Sequence, residues 1–369
     1  MTRLSDLSDV NISSPTDGQV LKYDQATGRW VNGEAASAYT GPLDLVPGAV
    51  VAYSVRALSA AWLGGNLFRL RRDSDDAEVT YTADAVTGEA PVATINTWIG
   101  AAFNKTGAVV DTTDTIVVTN ATGIKTYQPV SGANIPAGTI VLDVTGTTVT
   151  ISQPATGTDP AQTVTFTPQA YVVTWFDQSG NSKDATKATA SLQTPFALNQ
   201  INGKCAPVGN DFIGGSLQSA SITIPNGEIT WFNVGMSAAQ PLIYKIGNLR
   251  LSASTDVLAT PSIFMDDGAG HQCGMYADNT GLSSDTPYLW QMTSEFGASS
   301  IKVNGVALAE TENLDAGGAL VSFADTTSLD FAGTGAVSCE LIVYPIIESA
   351  PNLLSVAQNS ATYYGITLP

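Results

Sequence analysis

The 369-residue chain is long enough for about two or three domains, and 44% hydrophobic against 13% charged residues, with 34 glycines, excludes a disordered chain and one built from charge-rich surface helices. Its 33 acidic and 15 basic residues give a formal net charge of −18, a field that repels nucleic-acid phosphates and anionic membrane surfaces. Cys205, Cys273 and Cys339 are odd in number and widely spaced, with no Cys-x-x-Cys or Cys/His cluster, so buried small hydrophobes are expected rather than disulfides, a metal site or any cofactor.

Residues 1–40 form an arm punctuated by turn signals. Pro15, Asp17-Gly18 and Thr27-Gly28 interrupt an apolar set made of Leu4, Leu7, Val10, Ile12, Val20, Leu21, Tyr23, Trp30 and Val31. That set is too small to offset the backbone ordering of the whole segment, so the arm is expected to fold only against other chains. Its first residues lack the apolar core of a secretory signal, and no run in the chain approaches the length of a membrane span.

From residue 41 the pattern changes. "AVVAYSVRALSAAWLGG" has apolar residues at both helical and strand spacing and ends on the Gly pair expected at a helix C-terminus. "NLFRLRRDSDDAEVTYTAD" alternates, breaks at an Asp-rich turn and alternates again, as a hairpin does. Residues 104–168 are short Thr/Val strands between Gly turns, with sparse charge and no helical period, and read as a small all-β insert. Residues 169–369 resume the earlier style, with turn signals about every ten residues, the rhythm of a β-sandwich. One terminal helix is expected over 352–365, after Pro351 and ending at Gly365.

Two segments carry resemblances. "LSDLSDVNISSPTDGQVLKYDQATGRWVN" (4–32) resembles a segment recurrent in bacteriophage tail-fibre and other virion proteins, and the insert stretch "GANIPAGTIVLDVTGTTVTISQPATGT" is similar to repeats of phage structural proteins. "VVAYSVRALSAAWLGGNLFRLRRDSDDAE" followed by "VVTWFDQSGNSKDAT" resembles the catalytic domain of fungal α-L-arabinofuranosidase B, over residues 43–103 and 170–368. That second resemblance implies a concanavalin A-like jelly-roll. The expected fold class is therefore all-β: a jelly-roll β-sandwich in two parts (41–103 and 169–369), with a small all-β insert and an extended N-terminal arm.

Fold does not carry function with it. A retaining glycosidase needs two carboxyl groups about 5 Å apart. At the position where the resembled enzymes carry their nucleophilic Glu, this chain reads Arg250; downstream, "SIFMDDGAG" offers Asp266 and Asp267 toward the acid/base position. Asp177 and Gln178 of "WFDQSG" are candidate glycan-binding residues beside Asp266 and Asp267, although an Asp-Gln-Ser-Gly of this kind also caps its own turn. Asp73, Asp75 and Asp76 of "RRDSDDAE" lack the spacing of an EF-hand, and His271 has no recognisable triad partner. The expectation from sequence is a non-enzymatic phage virion protein, a fibre, spike or head-decoration subunit, assembled in host cytoplasm as a homotrimer. Its arm docks to other virion proteins and its sandwich is displayed, with host glycan as a further ligand. The alternative is a glycoside hydrolase of arabinofuranosidase type.

Overall fold

The computed structural model describes residues 10–11, 19–24, 27–34, 39–208, 217–224, 228–236, 242–246, 249–253, 261–266, 272–278, 282–283, 286–317, 323–324, 329–332 and 337–369. The chain divides into two compact units, Met1–Tyr39 and Thr40–Pro369. Among the described residues no helix is long and apolar enough to cross a membrane.

The first unit is a three-stranded sheet. Gln19–Asp24 and Arg29–Glu34 form an antiparallel hairpin, and Val10–Asn11 pairs in parallel with the second strand. Gly28, in the left-handed region at φ 68°, closes the turn, and Thr27 Oγ1 donates to Asp24 Oδ2. Tyr23 and Trp30 meet edge to face, 5.5 Å between centroids, yet stay 54% and 42% exposed. Leu4, Leu7 and Ile12 lie outside the described residues.

The second unit is an all-β sandwich. One face is an antiparallel sheet in the order Val306–Ala307, Ser300–Val303, Pro287–Ser294, Ile229–Met236, Val337–Tyr344, Val51–Ser54. The other strands form two further sheets. The first runs Lys204–Pro207, Thr194–Ile201, Ala170–Trp175, Asn66–Arg72, Glu78–Thr82. The second runs Glu310–Asn313, Gln272–Ala277, Ser262–Asp266, Leu249–Ala253, Leu242–Ile246, Leu329–Ala332. Strands 51–54, 170–175 and 337–344 are buried at every position, as strands covered on both faces must be, and Trp175, Trp231 and Trp290 are fully buried.

The Ala-rich segment resolves as strand Val51–Ser54 and a short 3-10 turn, Ala60–Trp62, not as a helix. Pairing Val51 with Val343 and Tyr53 with Leu341 gives its backbone partners that a helix would not, and tertiary pairing overrides the local signal. The hairpin Asn66–Arg72/Glu78–Thr82 turns at residues 73–77. Val92–Ile99 is a helix without a sequence-based expectation.

Between Phe103 and Phe166 the chain builds a sheet of its own, ordered Val141–Thr145, Thr148–Ile151, Thr115–Val118, Phe103–Val109, Asp159–Phe166, Val130–Ser131. It closes over a separate apolar cluster that includes Val109, Ile116, Val141, Val149, Val164 and Phe166.

The terminal helix spans Ala350–Tyr364. Ser349 accepts at its N-cap from the Asn352 amide, Pro351 sits in its first turn, and Gly365 ends it in the left-handed region at φ 64°. A Cβ at Gly365 would meet Asn202 Nδ2 at 3.3 Å. Gly365→Ala is therefore expected to cost about 1 kcal/mol, measured as a lowered thermal midpoint.

Candidate functional site

The "WFDQSG" stretch leaves strand Ala170–Trp175 and turns inward. Asp177, 2% exposed, accepts at Oδ1 from the Ala52 amide (2.9 Å) and the Ser179 amide (3.0 Å), and at Oδ2 from Ser179 Oγ (2.8 Å) and the Lys183 amide (3.0 Å). Gln178, 4% exposed, accepts from the Leu58 amide (2.7 Å) and donates to the Arg56 carbonyl (2.8 Å). Both side chains thus pin residues 52–58 to the 177–183 loop. Asp177 carries the Asx-type bond to Ser179 that its sequence anticipates, and it also holds a strand 125 residues away.

That pinning closes a groove of about 440 Å³, a size suited to small ligands. It is lined from one side by Leu43, Asp44, Ser59 and Trp62, and from the other by Gln178, Ser179 and Gly180. Trp62 is half-buried, and its indole Nε1 donates to the Asn66 carbonyl at 3.0 Å. The ring is packed so closely on Gly65 that a Cβ there would sit 2.9 Å from it. Asp44 Oδ2 accepts from the Gly41 and Ala60 amides at 2.9 and 2.7 Å, fixing the rim. The groove therefore combines an immobile aromatic surface with hydroxyl and amide groups. Sequence reasoning found Gln178 and missed Trp62 and Asp44; the Gly pair directly after Trp62-Leu63 is the local trace of the packing.

The other candidates lie in the sheet that contains Leu249–Ala253. Arg250 pairs with Lys245 on one side and Phe264 on the other, and Asp266, last in its strand, pairs with Gln272. Only the backbone of these positions is described, and Asp267 and His271 lie outside the described residues.

The carboxylates of "RRDSDDAE" diverge. Asp75 is ion-paired with Arg72, whose guanidinium holds its carboxyl down at about 2, and Asp76 pairs with Arg71 at 2.7 Å. Asp73 turns inward, and its Oδ2 accepts from Gln128 Nε2 (2.8 Å) and the Gln169 amide (3.0 Å). Among the described residues no acidic, His and Cys side chains cluster as a metal site.

No protein-family model and no curated protein matches the chain. Solved structures do. A GH54 α-L-arabinofuranosidase soaked with a cyclic sulfate inhibitor aligns at 14% identity and a TM-score of 0.47, over 87% of this chain and 64% of the other. An arabinofuranosidase complexed with arabinofuranosyl-α-1,2-xylobiose aligns at 13% identity and 0.48, with the same coverage. A Trypanosoma rangeli sialidase aligns at 12% identity and 0.29, over 51% of this chain and 31% of the other. The chain thus spans just under two thirds of the arabinofuranosidases it matches, and the likeness is one of fold. The structures just named are of glycosidases, which sets aside the reading of the chain as a virion structural protein without enzymatic activity. The resemblance behind that reading covers only the arm and part of the insert, and the sandwich that makes up most of the chain carries the other one.

Proposed function

We propose that the chain acts on carbohydrate as a glycoside hydrolase built on an arabinofuranosidase-type sandwich. The observation that carries this reading is the groove. The two stretches whose sequence resembles the arabinofuranosidase catalytic domain, around 43–65 and 172–183, are separated by the whole insert, yet they fold against each other and line one ligand-sized cleft with Trp62 at its side. A rigid aromatic face flanked by hydroxyl and amide groups suits a sugar ring, which presents both apolar and hydroxylated surfaces.

Arg250 stands where the resembled enzymes carry their nucleophilic Glu, and a guanidinium forms no glycosyl-enzyme. The hydrolysis proposed runs by direct attack of water on the anomeric carbon as the glycosidic C–O bond breaks, with one of Asp266 and Asp267 protonating the departing oxygen and the other accepting the proton of the water. Turnover of a chromogenic α-L-arabinofuranoside tests it. Wild-type activity that falls about 100-fold or more in Asp266→Asn or Asp267→Asn, with a raised KM in Trp62→Ala, is the expected outcome. Failure to release chromophore from any aryl furanoside or pyranoside overturns the reading.

A further inference from the structure

Most polar groups around the groove between Trp62 and Ser179 are already engaged within the protein. Gln178 accepts from the Leu58 amide and donates to the Arg56 carbonyl. Ser179 Oγ donates to Asp177 Oδ2 at 2.8 Å and accepts from the Asn181 amide at 3.2 Å. The Trp62 indole N–H is taken by the Asn66 carbonyl. Two groups remain for a ligand. Ser59 Oγ makes no capping bond to the turn that follows it, and Asp44 keeps one carboxylate oxygen. We propose that Asp44 is the specificity-determining residue of this groove and selects amino sugars, by their ammonium group, over neutral and acidic sugars, a proposal that rests on the reading of the groove as the carbohydrate cleft.

Asp44 is exposed, on the short helix Pro42–Leu45 at the groove wall, so a ligand can reach it. Its Oδ2 accepts from the Gly41 and Ala60 amides, and these two bonds hold the carboxylate in one orientation. Its Oδ1 accepts nothing from the described residues. A carboxylate fixed in advance loses little freedom when a ligand arrives. Ala60, one of its two donors, opens the 3-10 turn that ends on Trp62, so carboxylate and aromatic ring belong to one wall.

Charge decides what that wall prefers. Among the described residues lining the groove, Asp44 is the one charged side chain, and none is lysine or arginine. The chain's net charge of −18 adds a field of the same sign. A sugar carboxylate is repelled there and meets no cation to receive it. A neutral hydroxyl gives Oδ1 one ordinary hydrogen bond. An ammonium gives it a charge-assisted bond, roughly twice as strong, and gains further from the face of a nearby indole. Trp62 and Ser59 then serve the ring and its hydroxyls.

The test is calorimetric titration of the full chain with glucosamine hydrochloride, N-acetylglucosamine, glucose and sodium glucuronate at about pH 6, where the amine carries its proton. Glucosamine is expected to bind about tenfold more tightly than glucose, a gap that added salt narrows. N-acetylglucosamine, which keeps the bulk and loses the charge, is expected to match glucose, and glucuronate to bind weakest. A β-1,4 glucosamine hexamer separates a polysaccharide residue from the free amino sugar as the natural source. Asp44→Asn leaves an oxygen for the Gly41 and Ala60 amides and turns its NH2 toward the groove, so it is expected to bring glucosamine down to the level of glucose. If that variant does not fold, Trp62→Ala, expected to weaken glucosamine about fivefold, decides together with the N-acetyl and salt arms. Glucosamine no tighter than glucose or N-acetylglucosamine, a preference that survives in folded Asp44→Asn, or ethanolamine binding as tightly as glucosamine overturns the proposal. Chromophore release without this preference removes the selectivity alone, and the preference without release removes hydrolysis alone.

Discussion

Replacing Glu340 by alanine is expected to remove about 3–5 kcal/mol from the unfolding free energy. Glu340 sits on strand Val337–Tyr344 at 1% exposure, and its carboxylate is the hub of a buried network. Arg56 Nε donates to Oε2 at 2.9 Å and Nη2 to Oε1 at 3.3 Å; Ser54 Oγ donates to Oε2 at 3.0 Å and Ser360 Oγ to Oε1. Strand Val51–Ser54, strand Val337–Tyr344 and the terminal helix are thereby tied at one point. Arg56 is itself 3% exposed, with its guanidinium 4.4 Å from the Tyr363 ring centroid. Without Glu340 that cation stays buried against the Tyr363 ring and loses the carboxylate that offset its desolvation, which supplies most of the cost. Urea unfolding measures it. The double variant Arg56→Leu with Glu340→Leu removes both charges and is expected to recover much of the loss; a double variant no more stable than Glu340→Ala contradicts the account.

Asp177→Ala is expected to cost about 3–5 kcal/mol, and Asp177→Asn nearly as much. The alanine orphans the amides of Ala52, Ser179 and Lys183 together, the first of them buried within the sandwich. The asparagine keeps one oxygen but turns an NH2 group toward donors. A surface residue engaged only with a ligand would change stability by no more than about 0.5 kcal/mol, so the urea midpoint separates the two roles directly. Loss of the pin also opens the groove between Trp62 and Ser179, and any ligand affinity there is expected to fall with stability.

The contrast between these residues and the hairpin shows where sequence reasoning reaches. The strands at 66–72 and 78–82 were legible because alternation and an Asp-rich break are properties of adjacent residues. The terminal helix was legible for the same reason: Pro351 and Gly365 mark its two ends in the local sequence. The all-β class follows from composition and turn rhythm, and the chain's own residues determine all of these without outside help.

Tertiary structure decided the rest. Whether Val51–Ser54 is strand or helix turned on Val337–Tyr344, which supplies its backbone partners from almost the far end of the chain. Asp177 read first as a turn cap, with sugar binding as the other reading; the bond from Ala52, 125 positions away, was not legible from its neighbours. Asp73 and Gln128 carry no shared motif, and their 2.8 Å hydrogen bond joins the hairpin to the insert across 55 positions. A side chain's local conformation is set by its neighbours in sequence, but what a buried polar group does is set by which distant group arrives to satisfy it, or fails to.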